Sequence, residues 1–235
     1  RARALSGSTA RESKRWRSRS RRLFRAVRHR DYRLLYAGQG VSLIGTWMQQ
    51  VATGWLVYRM TDSPFLLGMV GFLGNVPSLV LSPIAGVLAD RWSRHKLMFA
   101  IQALAMVQAL ALAILVLTNA ITVPWILVLS SVLGIVNSFD LPVRQAFVLD
   151  MIEDRDDLSN AIALNSSMVN GSRLIGPSLA GILIGLVGEG ICFLANGLSY
   201  TAVIAALAAM RIPRRDREQE ERSMVQHLTE GVRYA

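Results

Sequence analysis

The sequence predicts an all-α integral membrane protein, a bundle of six transmembrane helices. Three observations carry that prediction. Apolar residues make up 52% of the chain and charged residues 18%, and between Leu34 and Met210 the apolar ones gather in runs of membrane length, about 20 helical residues for ~30 Å of hydrocarbon. The charges fall in short stretches between those runs, where the cost of placing a charge near the bilayer centre, several kcal/mol, is avoided. The connections between runs also alternate between basic and nearly uncharged.

Residues 1–33 form a basic arm that holds 13 of the 26 Lys and Arg. Rich in Arg, Ser and Ala and without an apolar period, it is expected to be disordered up to about Arg22. It is not a signal peptide, because the arm is longer than a short basic start and runs into a full-length span. The six spans are expected at 34–58, 65–88, 97–117, 121–137, 161–187 and 191–210. The fifth is the most polar, with Asn165, Ser166, Ser167, Asn170, Ser172 and Arg173 in its first half. Residues 211–235 read as a linker: a mixed-charge stretch, then an amphipathic run from Met224 that stops at Ala235. The chain opens on Arg1 rather than Met, and a longer protein with a second half after Ala235 is expected.

Orientation follows from charge. The arm, the Asp90–Lys96 loop, the Arg144–Asn160 loop and the tail after Met210 hold 24 Lys and Arg, whereas the three opposite loops hold one, Arg59. The positive-inside rule therefore places both ends in the cytoplasm.

The same placement accounts for the net charge of +10 and argues against nucleic-acid binding, since half of the basic residues lie in one arm beside a membrane span. Cys192 is the only cysteine, and His29, His95 and His227 are scattered, so neither a disulfide framework nor a metal site is expected. There is no nucleophile–base set of the kind a membrane-embedded enzyme needs and no phosphate-binding loop for ATP-driven transport.

The loop between spans two and three reads Gly86-Val-Leu-Ala-Asp90-Arg91-Trp-Ser-Arg94-His-Lys96. Gly86 permits close helix approach, Asp90 can cap or pair, and Arg91, Arg94 and Lys96 supply donors to helix carbonyls and lipid phosphates. This loop resembles the signature loop of the major facilitator superfamily, with Ser93 in place of a glycine. Span five carries Gly176-Pro177-Ser-Leu-Ala180-Gly181, similar to an element of that superfamily's exporters, with Ala180 replacing a glycine; its small residues favour close packing and Pro177 permits a bend. Asp140-Leu-Pro142-Val-Arg144, His29-Arg-Asp31-Tyr-Arg33 and Ser42-x-x-Gly45-x-Trp47-Met-Gln49 are similar to the enterobactin-exporter-like branch. The resemblance implies the N-terminal half of a twelve-helix fold and a secondary transporter that exports a siderophore-like or drug-like solute by alternating access, in a bacterial inner membrane. It also implies a proton gradient as energy source, no cofactor, and a conformational gate made of Gly86, Asp90, Arg91, Arg94 and Lys96 of this loop with Asp140 and Arg144. No Asp or Glu lies in the middle of any span, so proton coupling rests on the resemblance alone.

Arg173 is the ionisable residue deepest in a span. Residues 165, 169, 172, 173, 176 and 180 share one helical face, and Arg173 with Asn165 and Ser172 is read either as lining a cavity for an anionic or hydrogen-bonding solute or as a structural arginine paired across helices. Gln39, Gln49, Gln50, Asn75, Gln102 and Gln108 are candidates for the same cavity or for interhelical hydrogen bonds. A non-transporting six-helix scaffold or homodimer is the alternative.

Overall fold

The structure, a computed structural model, describes residues 30–151 and 155–210. The basic arm before Arg30 and the linker after Met210 lie outside the described residues, as do residues 152–154 and the side chains of Pro83, 87–91, 150, 155–157 and 159.

Six helices fill the described residues: α1 (Arg30–Thr61), α2 (Pro64–Arg91), α3 (Arg94–Leu117), α4 (Val123–Met151), α5 (Arg155–Val187) and α6 (Glu189–Ala209). α2 to α6 are each long and apolar enough to cross a membrane. α1, at 32 residues, has the length but dilutes its apolarity with buried Gln39, Ser42, Gln49 and Thr53; Gln49 bonds to α3 and α6 and Thr53 to the Gln49 carbonyl, whereas Gln39 Oε1 has no hydrogen-bond partner among the described residues. All six helices run past the apolar spans expected from sequence at one end or both, and two of them run into polar stretches. α4 continues past 137 to Met151 with Pro142 inside it, and α5 begins at Arg155. Polar residues ended both expected spans early, but the backbone stays helical where neighbours supply partners.

At one end of the bundle the links are tight. Asp62 and Asn119 take positive φ (47° and 56°) and Gly188 φ 86°, a region open to Gly and to short polar side chains. Such short links leave successive helices antiparallel, so α1, α3 and α5 run one way and α2, α4 and α6 the other. An ion pair from Arg59 to the buried Glu189 ties α1 to α6 at this end.

α6 packs between α1 and α3, α2 lies mainly on α4, and α5 lies on α1. The α2–α4 crossing is close: a side chain at Gly134 would meet the Gly74 carbonyl at 2.8 Å, so only glycine fits. The interior divides into two apolar clusters. One holds Leu35, Met98, Ile101, Val143, Phe147, Val203 and Leu207; the other holds Met48, Leu56, Val57, Leu112, Ile126 and Phe193. Between them lies a polar layer. Asn196 on α6 donates to Gln49 on α1 (2.7 Å), Gln49 donates to Gln108 on α3 (3.0 Å), and Gln108 donates to the Leu129 carbonyl of α4 (3.1 Å). In lipid, where apolar contact alone gives helices little preference for one another, such bonds fix which helix meets which, and at what height.

Candidate solute cavity and charge cluster

Two groups of polar side chains have chemistry to offer. The first sits at the end opposite the tight loops. Asp140 and Arg144, one turn apart on the continuous α4, form an ion pair of 2.7 Å, and Gln102 of α3 donates to the other Asp140 oxygen at 2.9 Å. Asp140 and Arg144, both expected in the gate, are therefore paired, with Pro142 accommodated inside the helix. The cluster is buried, with Arg144 only 8% exposed and its Nη1 without a hydrogen-bond partner, as is Gln102 Oε1. Nearby, Arg94 donates to the Ala146 carbonyl (3.3 Å) and His95 Nε2 pairs with the Leu207 carbonyl (2.9 Å), so the α2–α3 loop is tied to α4 and α6. Lys96 points outward. Asp90 and Arg91, expected in the same gate, lie outside the described side chains. Gly86 departs from expectation: nothing among the described residues comes within 4 Å of where its side chain would begin, so none of them makes the close approach expected there.

The second group lies along α1 and α5. These helices run parallel, joined by the Tyr32 hydroxyl donating to the Ala161 carbonyl (3.1 Å) and Tyr36 to the Leu164 carbonyl (3.3 Å). Burial, and secondarily Tyr36, push the Tyr32 phenol up to about 12, so it remains a donor at physiological pH. Further along, a side chain at Gly176 would lie 2.6 Å from Trp47 Cβ and 2.9 Å from the Ile44 carbonyl. Gly176 and the buried Ala180 thus do what the small-residue element predicts, letting α5 seat against α1. Pro177 sits inside α5 without ending it. Gly181 faces open space and takes no part in that contact.

This geometry corrects the predicted cavity stripe. Ser172 is buried and Asn165 half-buried; with Gly176 and Ala180 they belong to the face turned toward α1, so the shared face is mostly a packing face. Arg173 stands at its exposed edge, its Cζ 5.3 Å from the centroid of Trp47. Gln49 lies in the buried polar layer with its amide engaged at both atoms, and Gln102 and Gln108 are likewise interior. Asn75 is exposed on α2, where it bonds back to the Gly71 carbonyl (2.8 Å). Exposed Asn170, Ser167 and Ser178 do the same on α5, which lowers their cost in an apolar setting. Arg173 has no such relief. It lies midway along the membrane-length segment Asn160–Val187, and lipid exposure there costs about 3 kcal/mol or more.

Sequence reasoning missed three participants. Trp47 enters the sequence reading only within a motif, and Asn196 and Glu189 are not singled out. Asn196, an amide inside an otherwise apolar helix, carried the same signal as the glutamines.

A six-helix bundle, with a basic connection tied back between its second and third helices and a small-residue element seating α5, is the fold the resemblance implies. A family model described as transmembrane secretion effector covers residues 23–235. The chain belongs to the major facilitator superfamily. Relatives within the superfamily include the staphyloferrin A transporter of Staphylococcus aureus, 29% identical over 158 residues, covering 67% of this chain and 40% of that protein. Macrolide efflux protein A of Streptococcus pyogenes is 25% identical, covering 84% of this chain and 49% of its own length. The multidrug efflux pump Tap of Mycolicibacterium fortuitum is 22% identical, with 84% and 48% covered. The chain thus spans about half the length of the relatives it matches. As a superfamily member with membrane-length helices, it is a multi-pass membrane protein.

Proposed function

We propose that the chain is the N-terminal half of an efflux permease that exports a small organic solute, siderophore-like or drug-like, from a bacterial cytoplasm. The observation that carries this reading is the family match across nearly the whole described bundle, joined to relatives whose names specify siderophore transport and drug efflux. Both ends lie in the cytoplasm, as the 24-to-1 distribution of Lys and Arg supports, and residues 34–58 of α1 form the first of six spans. The second six-helix half faces the exposed sides of α2 and α5, and the two halves rock about a solute held between them. Asp140, Arg144 and Gln102, with Asp90 and Arg91, hold the cytoplasmic side in one of its two arrangements. Membrane lipid contacts the outer apolar faces, and a proton gradient supplies the energy. Within the superfamily we place the protein near the enterobactin exporters.

The experiment is an efflux measurement. The intact protein is expressed in a bacterium stripped of its own exporters, and loss of a loaded siderophore and of a macrolide is followed with and without a collapsed proton gradient. Gradient-dependent loss of at least one solute is expected. Unchanged retention of both, with normal membrane levels of protein, favours the scaffold reading.

A further inference from the structure

We infer that Arg173 and Trp47 form a recognition subsite for a carboxylate group on the transported solute. The inference rests on the efflux reading and narrows its solute class. Among the described residues no carboxylate lies within 4 Å of the Arg173 guanidinium and none of its N–H groups is hydrogen-bonded; its one recorded partner is the Trp47 ring. Stacking on an aromatic ring holds a guanidinium by its face and leaves the N–H donors at its edge free, the geometry that meets a planar carboxylate with two parallel bonds. Trp47 is itself fixed, because its Cβ lies at the Gly176 crossing of α1 and α5. The cation is therefore placed before any ligand arrives, which lowers the cost of binding.

The surroundings select the class further. Arg173 is the only charged residue near the middle of α5, and the other charges described on α1 and α5 lie near their ends, so one positive charge is available to balance one negative charge. The neighbours are an indole ring, the exposed Leu174 and the exposed amide of Asn170. They suit the organic body of a monoanion better than a compact multivalent ion such as phosphate.

The test uses the intact protein in lipid nanodiscs. The Trp47 signal is taken as the difference in tryptophan fluorescence between wild type and Trp47→Phe, titrated with benzoate, benzamide and inorganic phosphate. Benzoate is expected to saturate at a concentration at least tenfold below benzamide and phosphate, with the preference lost in Arg173→Gln and reduced in Arg173→Lys. Equal effects of benzoate and benzamide, no saturable benzoate effect, or phosphate matching benzoate overturns the inference; if Trp47→Phe fails to fold, calorimetric titration of wild type with the same three probes reads the same outcomes. Carboxylate-selective binding without efflux in the transport assay retains this subsite and removes the transporter reading; efflux without carboxylate preference does the reverse.

Discussion

Replacing Gln49 with leucine probes the polar layer at its centre. The two side chains have similar volume, so the change opens no large cavity, yet it removes the bond accepted from Asn196 and the bond donated to Gln108. Interhelical hydrogen bonds in membrane proteins average about 0.6 kcal/mol and reach about 1.7. Two of them, with an amide left unpaired on either side, place the loss at about 1–3 kcal/mol. Added apolar surface gives little back, because lipid is as apolar as leucine. The assay is reversible unfolding in mixed micelles under increasing denaturing detergent, completed as a double-mutant cycle with Asn196→Leu. A coupling of about 0.6 kcal/mol or more is expected, and Gln49→Leu as stable as wild type would refute the claim that this layer fixes the helix arrangement.

Two further substitutions separate packing from open surface and the ion pair from its surroundings. Gly176→Ala is expected to destabilise by about 1–3 kcal/mol through overpacking against Trp47 and the Ile44 backbone, whereas Gly181→Ala, facing open space, is expected to stay within about 0.5 kcal/mol; thermal unfolding of the two variants in one detergent compares them. Asp140→Ala strands Arg144 and the Gln102 amide in a buried site, and a loss of about 3 kcal/mol is expected, the low end for a buried pair that keeps some solvent contact. Arg144→Leu added to Asp140→Ala should recover part of that loss in the same assay.

Much of the fold was legible because a bilayer leaves few options. A run of about 20 apolar residues must be a helix with its backbone bonds satisfied internally, and charge asymmetry marks the loops. Helix ends beyond the apolar runs were not legible. Ser138 and Asp140 read as the end of a span, but Gln102 and Arg144 receive Asp140 inside the bundle and α4 continues. The candidate site was legible in its charge and not in its partners. Arg173 stood out as a cation inside an apolar segment, whereas the periodicity that grouped it with Ser172 and Gly176 could not tell a face seated on α1 from one facing open space. Trp47 meets Arg173 across helices whose residues lie more than a hundred positions apart in sequence, and no local pattern reports that contact. Gln49 and Gln108 each read more readily as an interhelical crosslink than as cavity lining, but nothing in the sequence names their partners.

If solute moves along α5, the exposed polar side of that helix around Arg173 faces water inside the membrane. The most direct test is the labelling of Asn170→Cys by a charged, membrane-impermeant thiol reagent in membranes opened to both sides, compared with Leu104→Cys, which is exposed on the apolar span of α3; the native Cys192 is fully buried and serves as a silent background. The cysteine at position 170 is expected to react at least tenfold faster than that at 104. Equal, slow labelling of the two would contradict it, leaving α5 against lipid or dry protein and Arg173 as a packing residue.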